Sequence, residues 1–160
     1  MEHSMIQLNK ITEKSVKKLE VIYMAHIYKE EFLRYMDEKG IKYTDRSEFV
    51  VRVAYSGENL NSIPVLVIFD EDGENMVQFV CFEVANYKQD KLAAGLITCN
   101  ALNQKYRWVK FYLDDDNDVR VECDAYVSPG TTGEECLNMV HRIVSITDKA
   151  YPVIMKSIWD

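Results

Sequence analysis

The stretch RWVKFYLDDDNDVRVECDAYV, residues 107–127, holds two apolar alternations separated by a row of acids and one asparagine. In an extended chain Val119, Val121, Cys123, Ala125 and Val127 share one face, and Arg120, Glu122, Asp124 and Tyr126 share the other. Before the acids, Val109, Phe111 and Leu113 form the apolar side. Residues paired directly across an antiparallel ladder lie on the same face. A two-residue loop would set Leu113 against Arg120, an apolar side chain against a charge. A three-residue loop, Asp115-Asp116-Asn117, pairs Leu113 with Val119, Phe111 with Val121 and Val109 with Cys123. The outer face then joins Tyr112 to Arg120 and Lys110 to Glu122, the latter an opposite-charge pair worth about 0.2–1 kcal/mol. Three-residue hairpin loops close on a left-handed residue, and asparagine tolerates that conformation. Asn117 is expected there, with the aspartates left in solvent. The stretch FDEDGENMV, residues 69–77, repeats the pattern with Gly73 in the left-handed place.

Asp114, Asp116 and Asp118 also resemble the start of a calcium loop. An EF-hand needs glycine at its sixth position and glutamate at its twelfth. Val119 and Ala125 stand there instead, so a solvated turn is the expectation and no metal site is assigned.

Upstream, residues 12–39 read as helix, free of glycine and proline, with Ile22, Ala25, Phe32 and Met36 on a broken apolar stripe. Lys29 interrupts that stripe and suggests a separate first helix or turn. Gly40 followed by Ile41 suits a C-terminal cap. Strands are expected over residues 47–55, 63–69 and 76–84, the second apolar at nearly every position and therefore covered on both faces or central. A helix over residues 87–104 follows, with Asn86 and Gln89 at capping spacing and Leu92, Leu96 and Cys99 on one stripe. A last helix opens at SPGTTGEEC, residues 128–136, with Thr132 and Glu135 as a capping box. Its stripe runs through Leu137, Val140, Val144, Thr147, Tyr151, Ile154 and Ile158, and Pro152 should kink it or begin a second helix. The order α-βββ-α-ββ-α describes an α+β fold: a twisted antiparallel sheet of about five strands with helices packed on one face. One domain is expected over residues 15–160, after a tail over residues 1–14.

The chain has 160 residues and a net charge of −7. Residues 114–135 hold eight acids against Arg120 alone, a net of −7 that equals the charge of the whole chain. Such a surface disfavours nucleic acid, whose phosphates need a basic footprint. No leader-type apolar segment opens the sequence, and no apolar run reaches membrane-spanning length. Cys81, Cys99, Cys123 and Cys136 have no metal-binding spacing and read as buried free thiols in a reducing cytoplasm. His3 falls in the expected tail, and His26 and His141 lie in helices. Cys136 and His141 point to roughly opposite sides of their helix, a poor nucleophile–base geometry. No nucleotide-binding or hydrolase motif is present. Tyr106, Trp108, Tyr112 and Tyr126 are expected on the outer face of the acidic hairpin, where an aromatic and charged surface suits a protein interface.

The segment ALNQKYRWVKFYLDDDNDVRVECDAYVSPGTTGEECLNMVHRIV, residues 101–144, resembles the YbjN domain family of bacteria. The matching positions are Leu102-Asn103, Tyr112-Leu113, residues 114–118, Glu122, Asp124 and Glu134. Asn117 departs from the family's turn glycine, and the loop SPGTTG departs as well. The resemblance implies a fold similar to the small type III secretion chaperones, which are acidic, often dimeric and bind other proteins. It implies a sensory transduction regulator without a defined reaction, and no catalytic residue carries over. The expectation is a cytoplasmic, non-enzymatic homodimer that binds an unidentified protein partner, with no cofactor. The alternative is a small-ligand sensor or an enzyme using a cleft between helix and sheet.

Overall fold

The computed structural model describes the backbone of residues 2–71 and 75–160. Side chains are described from Glu13 onward, apart from Lys18, Val21, Ile22, Met24 and residues 72–74. The expected turn at Gly73, the side chains of Ile22 and His3, and most side chains of the expected tail lie outside that description, whereas the backbone of residues 2–14 belongs to the first helix.

Helix α1, Glu2–Glu38, carries Ala25, Tyr28, Phe32 and Met36 into the core. It stops at Gly40, whose φ of +65° lets the Gly40 N–H reach Asp37 O (3.0 Å) and the Ile41 N–H reach Met36 O (2.9 Å). This is the expected glycine cap. Lys29 does not divide the helix. It is buried on the packed side, and its ammonium donates to Asp45 Oδ1 (2.6 Å) and Ser47 O (2.7 Å). The cation is tolerated there because it is paired and hydrogen-bonded.

The described residues form one antiparallel sheet of six strands rather than about five, in the order β1-β2-β3-β4-β6-β5. The strands are β1 (Tyr43–Ser47), β2 (Val50–Tyr55), β3 (Ile63–Phe69), β4 (Met76–Cys81), β5 (Lys110–Leu113) and β6 (Val119–Tyr126). The added strand is β1, which lies before the strand expected over residues 47–55 and forms a hairpin with its observed counterpart β2. It is an edge strand of sequence YTDRS and mostly exposed, so it has no apolar alternation to announce it. Val51, Val53, Val65, Val67, Phe69, Val77, Phe79, Phe111, Val119, Val121 and Cys123 are buried on one face, under the helices.

Helix α2, Leu92–Lys105, follows a 3-10 turn at Gln89–Lys91. Its buried side is Gly95, Thr98, Cys99 and Leu102, whereas Leu96, expected inward, is 60% exposed. Gly95 explains the shift: a Cβ there would stand 2.9 Å from both the Tyr87 ring and Leu113 Cδ1. The close approach needs glycine, which an apolar pattern does not count. Asn86 caps no helix; its Nδ2 donates to Asp116 O (3.0 Å) and Asp118 Oδ1 (2.8 Å).

Helix α3, Thr132–Trp159, crosses the sheet and runs through Pro152 as one element, with Cys136, Val140, Ile143, Thr147 and Ile154 buried. The expected pairing of Thr132 with Glu135 is replaced by one a residue earlier. The Glu135 carboxylate accepts the Ser128 N–H and the Thr131 hydroxyl (both 2.9 Å), while the Thr132 hydroxyl donates to Ser128 O (3.0 Å). Gly133 lets α1 and α3 touch, since a Cβ there would lie 2.3 Å from Tyr35 Cβ.

Candidate protein-binding surfaces

The acidic hairpin has the register that face parity demands. Lys110, Phe111, Tyr112 and Leu113 pair with Glu122, Val121, Arg120 and Val119, and Asn117 has φ of +64°. The aspartates do not all stand free in solvent. Asp115 and Asp116 are exposed, but Asp114 organises the turn. Its Oδ1 accepts the Asp116 and Asp118 N–H groups (3.1 and 3.0 Å), and its Oδ2 accepts Arg120 Nε (2.9 Å). Partial burial opposes its charge, but these donors outweigh that and hold its pKa below the ordinary aspartate value. The Arg120 guanidinium supplies the positive charge that a row of acids calls for. Among the described residues no three His, Cys, Asp or Glu side chains converge as a metal would require.

The even-numbered strand residues form the sheet's uncovered face. At one side Glu122, only 6% exposed, accepts the Tyr112 hydroxyl (2.7 Å) and pairs with the Lys110 ammonium. The bond to Glu122 raises the Lys110 pKa, and burial followed by that same carboxylate raises that of Tyr112. Arg120 stacks on Phe82, 4.5 Å from the ring centre. In the middle of the face Leu66 and Ile68 of β3 stand half-buried, flanked by Val50 and Met76. A cleft of about 460 Å³ opens beside Ile68, Asp70, Gln78 and Asp124. The apolar run of β3 therefore reflects a central strand with one face left open.

The four aromatics expected together are separated. Tyr112 and Tyr126 lie on the uncovered face, Tyr112 half-buried and Tyr126 70% exposed. Tyr106 ends α2 and packs on Phe111, ring centres 6.0 Å apart. Trp108 precedes β5 and stands on the helix side, with the Arg142 guanidinium of α3 4.2 Å from its ring centre. Strand alternation fails for both because residues 106–109 are the crossover from α2 to β5, not strand. Arg142 was absent from the sequence expectations, since nothing local marks a lone arginine on a helix.

The remaining candidates are structural. His26 Nε2 meets Glu48 Oε1 at 2.9 Å, and the exposed His141 packs edge-on to Tyr55, ring centres 5.2 Å apart. All four cysteines are free and buried. Burial pushes the Cys99 thiol up to about 11 and those of Cys81 and Cys123 up to about 12, and Cys136 also rises.

The family model described as "YbjN: Putative bacterial sensory transduction regulator" matches residues 29–155. The chain belongs to the YbjN family. Its resemblance positions acquire physical roles: Asn103 Oδ1 accepts the Phe111 N–H (2.7 Å) and its Nδ2 donates to Phe111 O (2.9 Å), so the side chain completes the edge of β5. Asp114 closes the turn and Glu122 is the buried acid of the outer face. The fold is similar to the crystal structure of YbjN, "a putative transcription regulator from E. coli", at 15% identity and a TM-score of 0.56, covering 76% of this chain and 87% of that one. It is also similar to a chain of the heterodimeric ExoU-SpcU complex of the type III secretion system of Pseudomonas aeruginosa. There the identity is 11% and the TM-score 0.52, covering 78% of this chain and 95% of that one. No curated relative matches the sequence. Among the described residues no helix is long and apolar enough to cross a membrane.

Proposed function

We propose that this YbjN-family chain is a cytoplasmic, non-enzymatic regulator. In this reading residues 15–160 act as one unit, form a homodimer and bind a protein partner in chaperone fashion across the uncovered sheet face. The observation that carries the reading is that face: Leu66 and Ile68 lie mid-strand at the centre of the sheet, while the core packs under the helices on the opposite side. An apolar row with a polar rim of Arg52, Gln78 and Asp124 has the anatomy of an interface. Tyr112 and Tyr126 extend it. The cysteines argue against a thiol nucleophile, because burial keeps their protons on at neutral pH.

Sedimentation of the wild type beside Ile68→Lys tests the proposal. A wild-type dimer that becomes monomeric in the variant, with melting temperature retained, supports it. A wild type that stays monomeric at every concentration ends the homodimer half. A variant that still dimerises moves the contact off this face.

A second reading, a small-ligand sensor, is favoured by the cleft of about 540 Å³ between residues 84–91 and the end of α3, lined by Lys88, Lys91, Tyr151, Met155 and Trp159. Its apolar walls with a few polar groups fit a ligand site. Thermal-shift screening with Met155→Trp as the blocked control separates the two readings.

A further inference from the structure

The chain is acidic, yet two of its segments carry no acid at all. Residues 101–113 hold Lys105, Arg107 and Lys110, and residues 136–147 hold Arg142. They meet where Arg142 stacks on Trp108. Lys110 is neutralised by Glu122 on the far side of the sheet. Arg142 is exposed, and its guanidinium makes no hydrogen bond or ion pair with any described residue, so its donors remain open. Asn138 and Ser145 lie four and three positions from it, on the same side of α3, and His141 directly precedes it. With Trp108 and Ile146 they line one shallow depression. Trp108 is 55% exposed despite the stacking.

We propose that Trp108 and Arg142 form a binding site for a carboxylate-rich peptide segment of a partner protein. The inference deepens the protein-binding reading and places a contact on the helix side, away from the uncovered sheet face. Stacking on indole holds the guanidinium in one plane, so less freedom is lost when its fork meets a carboxylate. Arginine and tryptophan are also the residue types that dominate binding energy at protein contacts. A small positive island in a molecule of net charge −7 matches a short acidic segment. A long polyanion such as nucleic acid would be repelled by the remaining surface.

The chain has two tryptophans and ten tyrosines, so Trp159→Phe leaves Trp108 as the sole indole, read by excitation at wavelengths that tyrosine does not absorb. This protein is titrated with poly-glutamate, poly-glutamine and a single-stranded oligonucleotide at low salt. Poly-glutamate should change Trp108 emission saturably and more weakly as salt rises, with poly-glutamine silent. Adding Arg142→Gln should weaken the response about tenfold or more, the scale of one lost charge-assisted contact. An unchanged melting temperature shows that this exposed substitution leaves the fold intact. No saturable response to poly-glutamate, or an equal one in Arg142→Gln, overturns the site. An oligonucleotide response as strong as that of poly-glutamate overturns the peptide assignment. A chain that binds poly-glutamate through Arg142 yet never dimerises would end the homodimer proposal and leave this one standing.

Discussion

The Asn59 side-chain amide donates to the backbone carbonyl of Asp148 at 3.1 Å, four residues before Pro152. Proline has no N–H to offer that carbonyl, so Asn59 replaces the missing helical donor. The arrangement is reciprocal. The Asp148 carboxylate accepts the N–H groups of Glu58, Asn59 and Leu60 at 3.0, 2.9 and 3.0 Å. The β2–β3 loop is thus spliced into α3, and Pro152 sits inside a continuous helix because the loop supplies its lost bond. Gly57 permits the contact: a Cβ there would lie 2.0 Å from Asp148 Oδ1. Gly57→Ala should cost about 1–3 kcal/mol, as overpacking does. Urea denaturation measures it, and an unchanged midpoint would show that the loop can shift without loss.

Acid should loosen the same splice. Burial opposes the charge of Asp148, but the three backbone donors and Asn59 outweigh it and hold its pKa below the ordinary aspartate value. Asp114 is depressed in the same sense. A carboxylate with a lowered folded pKa contributes stability that is complete above the unfolded value of ~3.9. That contribution is lost as pH falls through the folded value. The urea midpoint of the wild type should therefore drop steeply below about pH 4, and Asp148→Asn should be less stable at neutral pH and flatter in acid. Parallel pH profiles for the two proteins would remove Asp148 as the source.

Much of this architecture was legible because strand parity is strict. Val119, Val121 and Cys123 must face the core together, and that alone excluded other registers for the hairpin. The missed features involve residues whose partners are distant in sequence or whose signal is an absence. Strand β1 has no apolar alternation because it is an edge. Gly95 occupies the buried stripe of α2 without a side chain to count. Asp148 is an unremarkable acid on a helix until a loop about ninety positions away folds onto it. Trp108 followed the strand pattern in sequence but sits in a crossover, where alternation has no force, so its true neighbour Arg142 could not be read.

Asn103 should matter more than an ordinary polar residue at a helix end. Both its side-chain atoms bond the backbone of Phe111, on the free side of the edge strand β5. Asn103→Ala would leave a part-buried N–H and C=O without partners, at about 1–3 kcal/mol for an unsatisfied group. Hydrogen exchange at the Phe111 amide should quicken in the variant, more than at Val121 across the ladder. Equal protection at Phe111 in both proteins would show that water replaces the asparagine at no cost.

Asn117 offers the cleanest test of backbone conformation, because its hydrogen bonds do not depend on its side chain. The Asn117 N–H donates to Asp114 O, and its carbonyl accepts the Tyr87 N–H, both at 3.0 Å. These bonds survive any substitution except proline, so a variant reports only the preference for φ of +64°. A β-branched side chain resists that region strongly, and the left-handed conformation already costs an ordinary residue about 1–2 kcal/mol. Asn117→Val should therefore lower stability by about that much or more. Asn117→Gly should be neutral or slightly stabilising, its conformational freedom offset by its larger unfolded-state entropy. Equilibrium denaturation of the pair decides the matter: if valine and glycine are equally stable, the turn can adopt another conformation, and register must then rest on face parity alone.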